Sequence, residues 1–241
     1  GSVSLKYTDY KLTQDRGRTF QLDAMDVDET NFVAAAGTVM GEFQRLQVIP
    51  EVDAFRYSKI AALAKTASHE TAAFTPDKAT ILEKLDDEIT KVQDIVGEGE
   101  PLVIIMSMPI RTILNNSQDI TKYLDTADFK AGEITTKVKT YNEIPILSVP
   151  SARMKTAYVF NDGTTGGQEA GGFKPDTSAK GINWIILSRR APIAISKTDK
   201  IRIFEPNVNQ KADAWKLDYR KYHDLWIPTN KLAGVWVNTG A

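Results

Sequence analysis

The chain has 241 residues, 42% of them apolar and 25% charged, and a formal charge of −1, the balance of a folded globular protein rather than a disordered or fibrous one. The near-zero charge gives no overall basic field for nucleic acid or an anionic membrane, and the longest uncharged apolar run, Leu102 to Ile110, is far shorter than the roughly 20 residues of a spanning helix. With no cysteine and two distant histidines, His69 and His223, disulfides, thiolate metal sites and cysteine nucleophiles are excluded, and zinc or general-base chemistry has few candidates.

Gly1-Ser2 reads as the remnant of a cleaved tag, and native residues are expected to precede Val3. Val3 to Met25 alternates between apolar and polar residues on either side of Asp15-Arg16-Gly17, which predicts two strands around a turn. One hairpin alone is marginal in water. It is therefore expected to lie against something else, as an arm reaching a neighbouring subunit would. Asp28-Glu29-Thr30-Asn31 is a helix-start cluster, and the apolar spacing after it predicts a helix over about 31–47. Pro50 suits the first turn of a second helix that carries Val52, Phe55, Ile60, Ala61 and Leu63. Thr75-Pro76-Asp77 opens a third, with Ile81, Leu85, Ile89 and Val92 on its inner side, an acidic outer face and Gly97 at its end.

Leu102 to Ser107 is a continuous apolar strand, read as buried on both faces. A short helical piece over Ile110 to Asn115 follows, then strands at 134–140 and 144–149. The run 161–181, with Gly163, Gly166 and Gly171, reads as one long flexible loop. Strands are expected at 183–187, 201–204, 217–222 and 232–237. The order of elements is α+β in character, and no internal repeat is present.

No sequence motif assigns chemistry. The glycine clusters lack the order of a phosphate loop or a dinucleotide fingerprint, and no GxSxG elbow accompanies either histidine. Adjacent carboxylates such as Asp86-Asp87 fit a solvated helix face. From Arg189 to His223 basic residues outnumber acids, enough for a mild local surface that could touch phosphate without reading sequence. No catalytic residue, metal ligand or cofactor is expected.

Several stretches carry a resemblance to a known family. Phe20 to Thr30, the helix through Met40, Ile49 to Ile60, Ile144 to Pro150 and Trp226 to Trp236 together resemble the major capsid proteins of tailed bacteriophages, in the family's order and over nearly the whole chain. The resemblance implies the Johnson fold, which encapsulin shells share. It implies an extended hairpin loop over 3–27, a peripheral domain with a long spine helix from 28–77 and 191–241, and an axial domain over 78–190. It also implies a structural protein, not an enzyme, that self-assembles into hexamers and pentamers of an icosahedral virion shell. Implied partners are further copies of the chain, a scaffolding protein, a portal and non-specifically held double-stranded DNA, with no membrane; assembly would take place in the host cytoplasm. Tyr7, Tyr10, Lys11, Arg16, Arg18 and Phe20 would then meet a neighbouring subunit. Asp26, Asp28 and Glu29, or the acidic third helix, would be the counter-surface for the two arginines. Gly163, Gly166 and Gly171 would belong to an axial loop. The N-terminal arm that the family carries is expected to be missing, and an encapsulin-like shell around an enzyme is the alternative reading.

Overall fold

The computed structural model describes residues 7–29, 36–117, 124–131 and 134–241. They form two compact units, one from the described residues up to Leu46 with Ala194–Leu225, the other from Gln47–Ile193 with Trp226–Ala241.

The larger unit is built on a seven-stranded sheet. Its strands are β2 (Glu70–Thr71), β3 (Leu102–Ser107), β4 (Leu124–Ala131), β5 (Ile134–Tyr141), β6 (Ile144–Val149), β9 (Ile182–Ser188) and β12 (Val235–Thr239). The order across the sheet is β2-β12-β9-β3-β6-β5-β4. β3 and β6 run parallel, as do β12 and β2; the other neighbours are antiparallel. Every residue of β3 and of β9 is buried, which is why β3 reads as a continuous apolar run rather than an alternating one. Helix α4 (Ile81–Val96) lays Ile81, Leu85, Ile89 and Val92 against Leu102, Ile104, Met106, Trp184 and Ile186, and Leu114 of α5 (Met108–Asn115) joins them.

Two helix ends follow their sequence signals closely. The Asp77 carboxylate accepts the N–H groups of Ala79 and Thr80 ahead of α4, and these bonds hold it below the ordinary aspartate range. Gly97 closes the helix at φ 88°, a backbone region that glycine enters without steric cost. The expected boundary near Pro50 is different. Helix α2 (Ala36–Phe43) continues through a π turn, Gln44–Val48, directly into α3 (Ile49–Thr66). The wider turn takes up the missing N–H and the ring of Pro50 without ending the helix. At the far end of the chain the expected strand 232–237 is instead a 3₁₀ segment, Thr229–Gly234, followed by β12.

The smaller unit holds a three-stranded sheet of order β1-β11-β10, from β1 (Gln14–Asp23), β10 (Ile193–Phe204) and β11 (Ala214–Trp226), whose last residue lies in the larger unit. This corrects the expected hairpin turn at Asp15-Arg16-Gly17. β1 runs straight through those residues and pairs with β11, Asp15 opposite Tyr222 and Gly17 opposite Arg220. Gly17 serves close approach rather than a turn: a Cβ there would lie 3.0 Å from the Tyr219 carbonyl oxygen. The chain then enters α1 (Ala24–Glu29), where the Asp23 carboxylate accepts the Met25 N–H. The predicted start of a helix at Asn31 lies outside the described residues.

Candidate interaction surface

The three-stranded sheet has two unlike faces, and its hydrogen bonds show which residues share each. The Tyr219 hydroxyl donates to Asp199 at 2.8 Å, and the Lys221 ammonium donates to the same carboxylate. Burial raises the Asp199 carboxyl, but these two donors outweigh it and leave it below its ordinary value. Tyr219 and Asp199 therefore face the same way. By the two-residue period of a strand, so do Arg18, Phe20 and Leu217, and so do Ile195, Ile201 and Ile203.

Part of this face is covered. Phe43 of α2 packs edge-on against Phe20 at 4.8 Å and Tyr219 at 5.8 Å between ring centroids, while Leu217 is fully buried. The isoleucines of β10 are not covered: Ile195, Ile201 and Ile203 are 44%, 43% and 49% exposed. Among the described residues β10 is also an edge of its sheet, so these isoleucines, with Lys197 and Asp199 between them on the same face, lie beside backbone groups with no strand partner there, the charges blunting the middle of the edge.

The opposite face is cationic. Arg220 donates from Nε and Nη2 to the two oxygens of Asp15, at 2.9 and 2.5 Å, and holds that carboxyl below its usual range. Lys216 lies 3.3 Å from Asp218 and 5.4 Å from the Phe204 ring centre. A shallow groove of about 450 Å³ crosses the three strands here, lined in part by Gly17, Thr198, Lys200, Arg202, Asp218 and Arg220.

The structure brings some of the expected contact residues together and separates others. Arg16, Arg18 and Phe20 share one face of β1, with the Arg18 guanidinium 6.0 Å from the Phe20 ring centre. Tyr7, Tyr10 and Lys11 are exposed on the segment leading into β1. That segment is tied to β11 where the Thr13 N–H and hydroxyl donate to Asp224 and the Tyr222 hydroxyl donates to the Leu12 carbonyl. Asp26 is exposed on α1, and Asp28 and Glu29 lie on the same short helix.

Gly163, Gly166 and Gly171 sit between β7 (Tyr158–Phe160) and β8 (Phe173–Pro175), an antiparallel pair in the larger unit. The expected loop 161–181 thus contains a strand. Its tip is organised by short-range bonds: Asp162 accepts from the Thr164 and Thr165 N–H groups and the Thr165 hydroxyl, which pushes its carboxyl well below the ordinary range. Sequence reasoning missed the isoleucine row. The signal was the alternation Ile193-Ala-Ile195 and Ile201-Arg-Ile203 around a charged centre, which belongs to one strand of 12 residues rather than to a short one over 201–204.

The larger unit offers a second concavity of about 390 Å³, lined in part by Glu98, Glu100, Glu143 and Arg189. The described residues hold no cluster of three His, Cys, Asp or Glu placed to bind a metal ion, and no described helix is long and apolar enough to cross a membrane.

No protein-family model and no curated protein sequence matches the chain. Solved structures do match in fold. The whole chain aligns with 78% of a chain from Gordonia phage Cozz at 15% identity and a TM-score of 0.60. It aligns over its full length with 78% of a chain from the mature capsid of bacteriophage PhiM1, at 13% identity and a TM-score of 0.57. The SrpI encapsulin of Synechococcus elongatus aligns with 95% of this chain and 74% of its own, at 13% identity and a TM-score of 0.54. At such identities the likeness is one of fold: the chain has the α+β Johnson fold. Its solved examples include a phage capsid and an encapsulin shell.

Proposed function

We propose that the chain is the major capsid subunit of a tailed phage or prophage, a structural protein and not an enzyme, which assembles into hexamers and pentamers of an icosahedral shell around double-stranded DNA. The observation that carries this reading is the alignment of the whole chain with a subunit of a mature phage capsid. The exposed isoleucines of β10, an edge strand among the described residues, support it, because apolar side chains at a sheet edge mark a surface suited to a partner. Shell assembly by weak contacts repeated under symmetry needs no catalytic group.

In this reading the peripheral part is drawn from residues 28–77 and 191–241 and the axial part from 78–190. These names describe position within a capsomer, a question separate from the two compact units of the monomer. Tyr7, Tyr10, Lys11, Arg16, Arg18 and Phe20 meet a neighbouring subunit, Asp26, Asp28 and Glu29 offer an acidic counter-surface, and the loop carrying Gly163, Gly166 and Gly171 approaches the capsomer axis. A scaffolding protein and a portal act during assembly in the host cytoplasm, and the packaged DNA is held without sequence preference. The fold match to an encapsulin supports a second reading, a protein shell around an enzyme.

Negative-stain electron microscopy with light scattering separates the readings. Closed shells or rings of five and six subunits are expected, with nucleic acid inside for a capsid and an enzyme inside for the alternative. A monomer that persists even with a scaffolding partner supplied would overturn both.

A further inference from the structure

The cationic face of the sheet carries two charges that the monomer leaves uncompensated. Arg220 and Lys216 each have a carboxylate on the same face, but Lys200 and Arg202 have none among the described residues. Both are exposed, they lie two residues apart on β10, and both line the 450 Å³ groove. Side chains at that spacing on one strand face stand about 7 Å apart. Gly17, with no side chain, and the short Thr198 leave room beside them for a partner to approach.

Helix α4 carries the complementary pattern. Glu83, Asp87 and Asp94 are exposed, and their spacings of four and seven residues put them on one stripe of the helix, with Lys91 on the same stripe between Asp87 and Asp94. Asp87 already accepts from Lys84 and Lys91, at 3.4 and 2.9 Å, whereas Glu83 and Asp94 have no cation among the described residues. Glu83 and Asp87 are about 6 Å apart along the helix axis, close to the separation of the two cations on the strand. Salt-dependent recognition between two such rows is an arrangement that sets register and orientation between proteins.

We infer that Lys200 and Arg202 of one subunit dock on the Glu83/Asp87 stripe of α4 in a second copy of this chain. This rests on the self-assembly reading and names the partner of one of its surfaces. It assigns to Lys200 and Arg202 of β10 the role that the sequence suggested for Arg16 and Arg18, which lie on the opposite face of the sheet, with Phe20 and the exposed isoleucines.

The test uses the full chain as assembled particles, half of the subunits labelled with ¹⁵N, and a carbodiimide that joins lysine to carboxylate with no spacer. The expected result is a mixed-isotope cross-link from Lys200 to Glu83 or Asp87. A Lys200→Glu, Arg202→Glu variant is expected to stay folded and to lose at least tenfold in assembly rate at low salt. Adding Glu83→Lys and Asp87→Lys to that variant should restore most of the loss. Lys200→Gln with Arg202→Gln, which removes charge without reversing it, should fall between.

If the unaltered chain forms no particles even with a scaffolding partner supplied, the self-assembly reading fails and takes this inference with it. If particles form but the cross-links join Lys200 to other segments, or the charge swap gives no rescue, this inference is overturned and the assembly reading stands. Unchanged assembly with loss of bound DNA in the Glu variant would also overturn it, by making the face a nucleic-acid surface.

Discussion

Glu88 is a buried carboxylate whose hydrogen-bond donors among the described residues are uncharged, with the Lys84 ammonium acting on it only through space. The Trp184 indole N–H donates to one oxygen at 2.7 Å and the Asn238 amide to the other at 2.7 Å, while Asn183 in turn donates to Asn238. Burial pushes the Glu88 carboxyl up, against the pull of these bonds. Trp184→Phe leaves one oxygen short of a donor, which costs about 1–3 kcal/mol, and the smaller ring at this fully buried position leaves a void that adds to it, a loss to be measured by chemical denaturation. Two tyrosines make a second prediction at this scale. Burial, as the leading cause, pushes Tyr57 and Tyr158 up to about 12 from the ordinary 10. The unfolded chain therefore releases these protons first, so stability is lost as pH rises from 10 towards 12. Ultraviolet titration should show Tyr57 and Tyr158 ionising late, and Tyr158→Phe should reduce the late-ionising amplitude by one tyrosine. The sequence placed Glu88 on the acidic outer face of its helix, although its spacing from Leu85 and Val92 lies on the apolar stripe. Its donors come from 96 and 150 residues further along the chain, a separation that no local pattern reports.

At the scale of elements, the legible parts were those whose signal is local. β3 and β6 begin and end where their apolar and β-branched runs do, and α4 stops at Gly97 as its sequence suggests. The pairing of β1 was not legible. Its alternation predicts a strand correctly but says nothing about the partner, and Asp-Arg-Gly has the composition of a turn. The partner, β11, lies about 200 residues away in sequence and supplies the Asp218 carboxylate to the Thr19 hydroxyl, the Arg220 guanidinium to Asp15, and the backbone contacts that a local hairpin would have had to provide. Gly17 tests the correction. In a hairpin turn a larger residue would alter loop geometry alone, whereas here Gly17→Val drives a branched side chain into the Tyr219 carbonyl. A loss of about 1–3 kcal/mol is expected, with hydrogen exchange faster in both β1 and β11 and unchanged in β3.

On the scale of the whole molecule, the exposed isoleucines separate monomer stability from association. Ile195→Lys with Ile203→Lys removes apolar surface that the monomer leaves in water, so the thermal midpoint of the isolated subunit should move little. Particle formation, followed by light scattering, should be suppressed at every salt concentration, unlike the salt-dependent loss expected for the lysine and arginine of the opposite face. The α+β class and the order of most elements could be read in advance, because they follow from periodicity and turn residues. Which side chains face a neighbour depends on sheet pairing and on what α2 covers, and so on contacts between distant segments.

The position of β12 bears on how the chain is made. Strand β12 leaves the ribosome after every other described strand, yet it belongs inside the sheet, between β2 and β9. Until residue 239 has emerged, β9 has an open edge, β2 has no partner, and the Asn238 that serves Glu88 is missing. The larger unit therefore cannot close before β12 has emerged, however early its helices form. A message cut short before Val235 would yield a polypeptide without a finished sheet, a target for proteolysis rather than a faulty brick in the wall.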